Sequence, residues 1–307
     1  MQQAAASAAG AQSYPAGALY VVATPIGNLA DLSLRAIHVL TLVDAIACED
    51  TRHSAALLRQ FGLDKPLMAV HQHNEREAAD AVMLRLARGE RVAYISDAGT
   101  PAISDPGAAL VDAVRAGAYR AIPIPGASSA AAALSVAGDA SGSAFTFIGF
   151  LPARGAERAQ ALLRLATDRR TQVLFEAPHR IEALASALAH ACEQGSSADR
   201  RVTVCRELTK QFETVATIPA SSLPEWLAAD ANRSRGEFVI VLHALAAAAA
   251  DDDSSSHDPM LNVLMAELPL KQAVAIAAAL TGVARNALYD RALLLKRERE
   301  QLNPGLD

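Results

Sequence analysis

The sequence has few aromatic residues and few cysteines. Of its 307 residues only 4% are aromatic, whereas 51% are hydrophobic and 20% are charged, which is typical of a globular protein. The three cysteines, Cys48, Cys192 and Cys205, lie far apart and match no metal-binding spacing. Their odd number and wide separation predict a reducing, cytoplasmic compartment rather than a disulfide framework.

Long apolar runs and targeting signals are also missing. No stretch of 18 apolar residues occurs, which predicts that the chain does not span a membrane. Residues 1–16 have neither a basic start nor an apolar centre, so we expect a disordered leader and not a signal peptide. The net charge of −5 gives no general case for binding nucleic acid.

Two common phosphate-binding motifs, GxxxxGK[ST] and GxGxxG, are absent, so neither ATP hydrolysis nor a standard NAD site is indicated. His71 and His73 lie two residues apart near a strand end, but no third ligand follows at a suitable spacing. We therefore predict no metal site.

What the sequence does contain, from Leu19 onward, is an alternation of short apolar strands and helical segments. Strands are predicted over 19–23, 45–49, 67–70, 92–96 and 120–124. Continuous apolar strands separated by helices indicate a parallel sheet covered on both faces, and we assign it to a first α/β domain over 17–137. Asp105 as a cap and Pro106 in the first turn predict a helix over 106–116.

The pattern changes after residue 137. Further strands with fewer long helices predict a second α/β domain over 138–244, with a mixed sheet. Residues 245–258 are polar and of low complexity, which predicts a flexible linker. Residues 259–303 contain helical patterns, the last two joined through Thr281-Gly282, and predict a small helix–turn–helix module.

Unusual residues cluster after the strands of the first domain. Ligands bind at the carboxyl ends of parallel strands, where such loops converge. The loop 96–107, SDAGTPAISDPG, contains carboxylates, hydroxyls, glycine and proline but no Lys, Arg or His. This composition favours a neutral or cationic ligand over a triphosphate.

Several motifs occur together in the order and spacing of one family: TPIGNLADLSLRA, CEDTRHS, HNE, SDAGTPAISDPG, GFLP, FEAPHRI, RELTK and GEFVIVL. Over roughly residues 17–300 the chain resembles the ribosomal RNA small-subunit methyltransferase I family, which has a tetrapyrrole-methylase-like fold. The resemblance implies a homodimer of two-domain α/β subunits with S-adenosylmethionine in the interdomain cleft. It also implies 2'-O-methylation of a cytidine ribose in the decoding region of 16S rRNA, free or within the 30S subunit.

The resemblance also implies which residues hold the cofactor. Ala127 stands where the family more often has proline. The cofactor-binding candidates come from four segments: Pro25, Gly27, Asn28, Asp97, Ala98, Gly99, Thr100, Pro101, Ser128, Ser129, Phe175 and Glu176.

Methyl transfer to a ribose hydroxyl needs in-line positioning, and a base can accept the hydroxyl proton. The polar candidates for that base are Glu49, Asp50, His73, Glu176, Glu207 and Lys210. Among these we favour Asp50 and Glu207 as the base. Arg52 lies close to Asp50 in the sequence and Arg206 is next to Glu207, and either arginine could bind a phosphate or orient the acid. Lys210 is a further catalytic candidate. Both motifs also have a purely structural interpretation. CEDTRHS could be the N-cap and solvent-exposed face of a helix, and RELTK could be a solvent-exposed turn.

Two other functions remain open. The chain can be a small-molecule, tetrapyrrole-type methyltransferase on the same fold, or a non-enzymatic RNA-binding or ribosome-assembly protein. SDAGTP, CEDTRH and the helical tail favour the rRNA methyltransferase. Acidic and basic residues nearly balance after residue 260, so only the helix–turn–helix pattern and the resemblance indicate RNA contact there.

Overall fold

A computed structural model describes residues 1–71, 74–195, 197, 199–245 and 257–302, with side chains up to residue 297. It contains two compact units, Met1–Leu245 and Ala246–Asp307. Each is described by itself below. No helix among the described residues is both long and apolar enough to cross a membrane.

The first sheet has five parallel strands: β1 (Ala18–Val22), β2 (Ala45–Cys48), β3 (Leu67–Ala69), β4 (Val92–Ile95) and β5 (Arg120–Ile124). Their order is β3-β2-β4-β1-β5, with β4 and β1 near the centre. All residues of β2 and β4 are buried, as expected for strands covered on both faces. The α/β prediction is confirmed for this sheet.

Six helices accompany the first sheet: α1 (Gln2–Ala9), α2 (Leu34–Leu42), α3 (Thr51–Gln60), α4 (Glu75–Ala87), α5 (Ala108–Ala116) and α6 (Ser129–Ala137). Helices α1–α3 share one core with Tyr20, Ile46 and Ile95. Helices α4 and α5 share another core with Leu19 and Tyr94 on the opposite face. The two cores confirm helices on both faces of the sheet.

The prediction of a disordered leader over 1–16 is wrong, because residues 2–9 form α1. Ala5 and Ala9 are buried, and α1 packs on α2. The Gln2 side-chain amide donates to the Phe61 carbonyl (2.9 Å), and Arg91 Nε donates to the Tyr14 carbonyl (3.0 Å). Alanine combines high helix propensity with a small side chain, so this segment can pack closely without an apolar periodic signal.

The second sheet contains β6 (Phe145–Phe150), β7 (Thr171–Glu176), β8 (Arg201–Arg206), β9 (Thr214–Pro219) and β10 (Phe238–Leu242). Its order is β6-β7-β10-β8-β9. Strands β6 and β7 are parallel, and the other neighbours are antiparallel, which confirms the mixed sheet.

Helices α7 (Gly155–Thr167), α8 (Ile181–Gln194) and α9 (Leu223–Ala228) pack on one face of the second sheet. Ala130, Ala133 and Ala137 of α6 pack on the other face, against Val173 and Val239. Helix α6, which follows β5 in the chain, therefore packs on the second sheet.

The C-terminal unit contains α10 (Asp258–Glu267), α11 (Leu270–Thr281) and α12 (Arg285–Leu302). Its core includes Leu261, Val274 and Leu288, and Arg291 forms a two-pronged ion pair with Asp258 (2.9 and 2.6 Å). Of the predicted linker 245–258, residues 246–256 lie outside the described residues, and so does residue 303 of the predicted module.

The predicted start of α5 is also wrong. The helix begins at Ala108 with Gly107 as its N-cap, and neither Asp105 nor Pro106 is helical. Gly107 has φ 119°, and a Cβ there would overlap the buried ring of Tyr94. The Tyr94 hydroxyl donates to the Pro106 carbonyl (2.6 Å). The Glu75 carboxylate of α4 accepts from the Ala109 backbone N–H in the first turn of α5 (3.0 Å), so the cap comes from a neighbouring helix and not from Asp105.

Candidate functional site

Three loops meet at the carboxyl ends of β1, β4 and β5. Thr24 and Gly99 exchange backbone hydrogen bonds in both directions (2.8 and 3.1 Å), and the Thr24 hydroxyl donates to the Ser96 carbonyl (3.1 Å). The Thr100 hydroxyl donates to the Ala127 carbonyl (3.1 Å). The loops after the three strands therefore form one hydrogen-bonded surface, and Ala127 takes part in it through its backbone.

Gly99 permits this close approach. Its φ is +83°, where side chains are strained, and a Cβ would lie 3.3 Å from Ile26 Cγ2. Two non-glycine residues of the following loop, Ala102 (φ 66°) and Ser104 (φ 63°), also adopt the left-handed region. The backbone of loop 96–107 is thus held in an uncommon conformation where it faces the cavity.

A cavity of about 330 Å³ lies between these loops and the second sheet. This volume is within the roughly 300–1,000 Å³ typical of small-molecule sites. The lining from the first sheet, called here the first-sheet wall, consists of Ile26, Ala98, Gly99, Thr100, Ile103, Ser104, Asp105, Ser128 and Ser129. The second-sheet wall consists of Phe150, Phe175, Glu176, Ala177, Pro178, Cys205, Leu208, Glu237, Phe238 and Val239.

Seven of the cofactor-binding candidates line this cavity: Ala98, Gly99, Thr100, Ser128, Ser129, Phe175 and Glu176. The other five, Pro25, Gly27, Asn28, Asp97 and Pro101, are not part of the lining. Asn28 caps the short 3-10 turn Leu29–Asp31 through Ala30 N (3.0 Å). Asp97 accepts from the Asp50 backbone N–H (3.2 Å), which ties its loop to the end of β2.

Five polar or aromatic lining residues were not among the candidates: Ser104, Asp105, Phe150, Glu237 and Phe238. Each lies within a motif that we had noted, SDAGTPAISDPG, GFLP or GEFVIVL. The sequence signal for Asp105 was present but indicated a helix cap. For Phe150 and Glu237, the sequence showed only that each residue belongs to a motif of the family.

Acidic groups of the first-sheet wall lack a compensating cation. Burial and then the nearby Glu49 and Asp97 raise the pKa of Asp105 to about 6, although a hydrogen bond with Ser96 opposes the shift. Burial and Asp97 likewise raise the pKa of Glu49. Among the residues that the structure describes, no Lys, Arg or His lines the cavity. A cationic group in the cavity would relieve this electrostatic cost.

The second-sheet wall contains the opposite arrangement. The Glu176 carboxylate is fully buried, and it lies 3.1 Å from Arg180 Nε and 3.6 Å from Arg158 Nη2. It also accepts from the Ala177 backbone N–H (3.0 Å). Two guanidinium groups thus compensate the charge of Glu176, which stabilises the wall, whereas its buried Oε2 accepts no hydrogen bond from the described residues.

A second compensated cluster lies beside Glu237. Lys210 Nζ contacts Glu207 (2.9 Å) and Glu237 (2.8 Å), and Glu207 also accepts from the Glu237 backbone N–H (2.9 Å). Burial opposes ionisation of Glu207, but the Glu237 N–H and the Lys210 ammonium outweigh it and lower the pKa of Glu207. A Cβ at Gly27 would lie 2.5 Å from Lys210 Cγ, so this cluster packs on the loop after β1.

The remaining catalytic candidates lie outside the cavity lining. Asp50 caps α3 through Arg52 N (2.7 Å) and pairs with the exposed Arg52 side chain (3.2 Å). Arg206 donates to the Arg235 and Phe212 carbonyls (2.6 and 2.9 Å), which stabilises the turn between β8 and β9. The structure thus brings Glu207 and Lys210 next to the cavity and leaves Asp50, Arg52 and Arg206 in capping and turn-stabilising contacts.

No group of three or more His, Cys, Asp or Glu suited to a metal occurs within the described ranges. His73, one of the base candidates, lies outside the described residues. The site therefore combines a small cavity, uncompensated carboxylates on one wall and a rigid, charge-compensated opposite wall. Such a cavity can hold a small cationic ligand with hydrogen-bonding groups.

Comparison with known families agrees with this geometry. Residues 18–224 match the family Tetrapyrrole (Corrin/Porphyrin) Methylases, and residues 244–296 match the RsmI C-terminal HTH domain. A cobalt precorrin-4 methyltransferase of known structure has 20% identity and a TM-score of 0.55, covering 76% of this chain and 98% of its own. A uroporphyrin-III-C-methyltransferase from Thermus thermophilus has 18% identity and a TM-score of 0.52, covering 73% and 94%. These likenesses confirm the fold.

Relatives of higher identity extend over nearly the whole chain. "Ribosomal RNA small subunit methyltransferase I" of Pseudomonas aeruginosa is 46% identical over 91% of this chain and 97% of its own length. The protein of that name from Neisseria meningitidis serogroup A is 45% identical over 92% and 95%. The one from Xylella fastidiosa is 47% identical over 89% and 98%.

Proposed function

The chain belongs to the ribosomal RNA small subunit methyltransferase I family, within the tetrapyrrole methylase fold, and we propose from this premise that it methylates a cytidine ribose of 16S rRNA at the 2'-oxygen. It is a methyltransferase of the S-adenosylmethionine-dependent type, and its substrate class is the RNA of the small ribosomal subunit. The decoding region as target, the 2'-oxygen and the cytidine are the proposed details.

The cavity fits S-adenosylmethionine in charge and in hydrogen-bonding groups. This cofactor is a sulfonium cation with an ammonium group and no phosphate, and it supplies the methyl group when bound. The observation that carries the assignment is the cation-free first-sheet wall, where the pKa of Asp105 is raised to about 6. Asp105 would bind the positive charge, and Ser128, Ser129 and the backbone of Ala98 and Gly99 would orient the polar groups.

The protein's contribution to methyl transfer is chiefly positioning. The loops after β1, β4 and β5 are fixed to one another by the Thr24–Gly99 and Thr100–Ala127 hydrogen bonds. A fixed surface of this kind holds reacting groups in line, which can supply much of the rate enhancement. Phe175 and the paired Glu176 close the opposite side of the cavity.

A proton must leave the ribose hydroxyl during the transfer. Among the proposed proton acceptors, Glu207 lies next to the cavity, because it is hydrogen-bonded to the backbone of the lining residue Glu237. Lys210 stabilises the Glu207 anion. Asp50 instead caps α3. We expect Glu207→Gln to lower kcat at saturating cofactor and Asp50→Asn to affect kcat less. Equal, near-normal kcat values for both variants would remove Glu207 from the mechanism.

The central experiment incubates the protein with methyl-labelled S-adenosylmethionine and either 30S subunits or free 16S rRNA. We expect label in 2'-O-methylcytidine, recovered from RNA that resists alkaline cleavage at that position. Label on a base would contradict the 2'-oxygen, and label only on added tetrapyrrole would favour a small-molecule methyltransferase. Cofactor binding with no transfer to either substrate would favour a non-enzymatic RNA-binding role.

We further propose that the enzyme acts in the cytoplasm as a homodimer. The substrate class and three buried free cysteines support the compartment. Light scattering of the purified full chain tests the oligomeric state, and a monomer at micromolar concentration would contradict the dimer.

A further inference from the structure

An aromatic side chain is exposed at the edge of the cavity. Phe150 is the last residue of β6, lines the cavity and is 54% exposed. Its ring packs edge-on against Phe175, with centroids 5.7 Å apart and planes at 69°. Phe175 is held in turn by Phe147, with centroids 5.1 Å apart. Phe150 is therefore supported from one side and open to solvent at the cavity mouth.

An apolar residue of the first-sheet wall is also exposed at this cavity. Ile103, also a lining residue, is 44% exposed and lies in the loop segment with left-handed Ala102 and Ser104. Leaving two large apolar side chains exposed at a cavity is unfavourable in water, because each loses the free energy of burial. An apolar, planar group entering the mouth would cover both.

A cation without a partner among the described residues, Arg154, follows Phe150 along the chain. Arg154 is exposed at the start of α7 and makes no side-chain capping hydrogen bond. Within the described part of the chain it has no hydrogen-bond or ion-pair partner, whereas Arg158 and Arg180 contact Glu176. The segment that carries it is fixed, because Arg180 Nη2 donates to the Leu151 carbonyl (2.7 Å) and Arg158 Nη1 to the Pro152 carbonyl (3.1 Å).

We propose that Phe150 and Arg154 form the RNA subsite of this enzyme, in which Phe150 stacks on the base of the nucleotide to be methylated and Arg154 binds an adjacent phosphate. This inference rests on the proposed RNA substrate. A ribose reaches a recessed methyl donor only if its nucleotide leaves the helical stack, and an aromatic face can replace the lost stacking. Arginine matches phosphate geometry.

The charge distribution supports this division of the site. Asp105 in the cavity lining has no cationic partner and lies near Glu49, which makes the interior of the cavity unfavourable for phosphate and keeps the RNA backbone outside. Arg154, which follows β6 in the chain, is an exposed cation outside the cavity lining. Base and ribose would enter the mouth, while phosphate would remain at the rim.

Phe150→Leu tests the stacking role, with Phe150→Tyr as the conservative variant. Phe145→Leu is the matched control, since Phe145 is 57% exposed at the other end of the same strand and lies outside the cavity. Methyl transfer to 30S subunits and to free 16S rRNA gives kcat and KM, and calorimetry gives the cofactor Kd. Base–aromatic stacking predicts a decrease of roughly tenfold or more in kcat/KM for Phe150→Leu, with Phe150→Tyr within about threefold of the wild type.

The cofactor Kd distinguishes the two possible sources of a stacked base. An unchanged Kd in Phe150→Leu supports RNA stacking, whereas a Kd weakened in proportion to kcat/KM would show that Phe150 stacks on the cofactor's adenine. Normal kcat/KM in Phe150→Leu, or loss of dimerisation in that variant alone, would also overturn the inference. If wild-type protein transfers no methyl to RNA, the proposed function fails instead.

Arg154→Gln tests the phosphate contact, with Arg115→Gln on the exposed face of α5 as its control. We expect Arg154→Gln to raise the KM for RNA and to reduce the slope of log KM against log salt by about 0.7, the value for one single-strand phosphate contact. The control should leave both unchanged. An unaltered slope in Arg154→Gln would exclude Arg154 from the subsite.

Discussion

The two walls of the cavity differ in whether their acidic residues have cationic partners. On the second-sheet wall, each carboxylate is paired: Glu176 with Arg158 and Arg180, and Glu237 with Lys210. On the first-sheet wall, Asp105 has no cation, and burial with neighbouring acids raises its pKa. Paired charges hold a wall in place, whereas an unpaired charge is available to a ligand. The difference supports the proposal that the first-sheet wall binds the cofactor's cation and the second-sheet wall provides rigidity.

Removing a cation from the compensated wall should have the largest effect on stability. Arg180→Met leaves the buried Glu176 carboxylate with Arg158, at the longer distance of 3.6 Å, as its cationic partner. Removal of one partner from a buried ion pair typically costs about 3–5 kcal/mol, so we expect a loss of about 3 kcal/mol in the free energy of unfolding, measured by urea denaturation. Arg170→Met, which removes an exposed pair with Asp168, should cost much less, because water screens the pair. Similar losses in both variants would contradict the comparison.

Removing the acid from the uncompensated wall should have the opposite effect on stability. Asp105→Asn abolishes a partly buried charge, so we expect stability at pH 7 to rise by about 1 kcal/mol, after discounting for solvent screening. Cofactor affinity should fall roughly tenfold or more, because the carboxylate no longer binds the cation. Calorimetry measures the Kd, and Asp112→Asn on exposed α5 serves as the control. An unchanged cofactor Kd in Asp105→Asn would show that Asp105 does not bind the cofactor.

The same contrast predicts how cofactor binding depends on pH. The folded pKa of Asp105, about 6, exceeds its ordinary value of 3.8, so its contribution to stability is full below pH 3.8 and is lost as pH rises through 6. Cofactor affinity follows the anion and should decrease by up to about tenfold per pH unit below 6. Titrations between pH 5 and 8 measure this, and the dependence should be flatter in Asp105→Asn. The same steep dependence in both proteins would assign it to another group.

The smallest effect should follow from loosening the exposed part of the compensated wall. Lys210→Met removes the cation from Glu207 and from the largely exposed Glu237. Because water screens this pair, we expect a loss of only about 1 kcal/mol in unfolding free energy. Lys210→Arg should retain most of it. If Lys210→Met lost as much unfolding free energy as Arg180→Met, the difference in solvent exposure between the two clusters would not determine their contribution to stability.

The features that could be predicted from the sequence depend mostly on residues that are close together in the chain. The first sheet followed from short apolar runs such as 45–48 and 92–95 with helices between them, and seven cofactor candidates followed from loop motifs. The role of Asp105 could not be predicted, because Asp-Pro before a helix is typical of a cap. Only the long-range contact of Tyr94 with Pro106 and Gly107 turns that segment away from the helix. The contact of Glu176 with Arg158 likewise joins β7 to α7 across residues distant in sequence, whereas Arg180 follows Glu176 by four residues.

The contact between Tyr94 and Gly107 has a consequence for how this protein can evolve. The ring occupies the volume that a side chain at residue 107 would need, and its hydroxyl holds the carbonyl next to Asp105. A larger residue at 107 is tolerated only if residue 94 becomes smaller, and a smaller residue at 94 releases the loop. Selection on the cofactor loop therefore acts on a core strand position, and the two sites must change together or remain as they are.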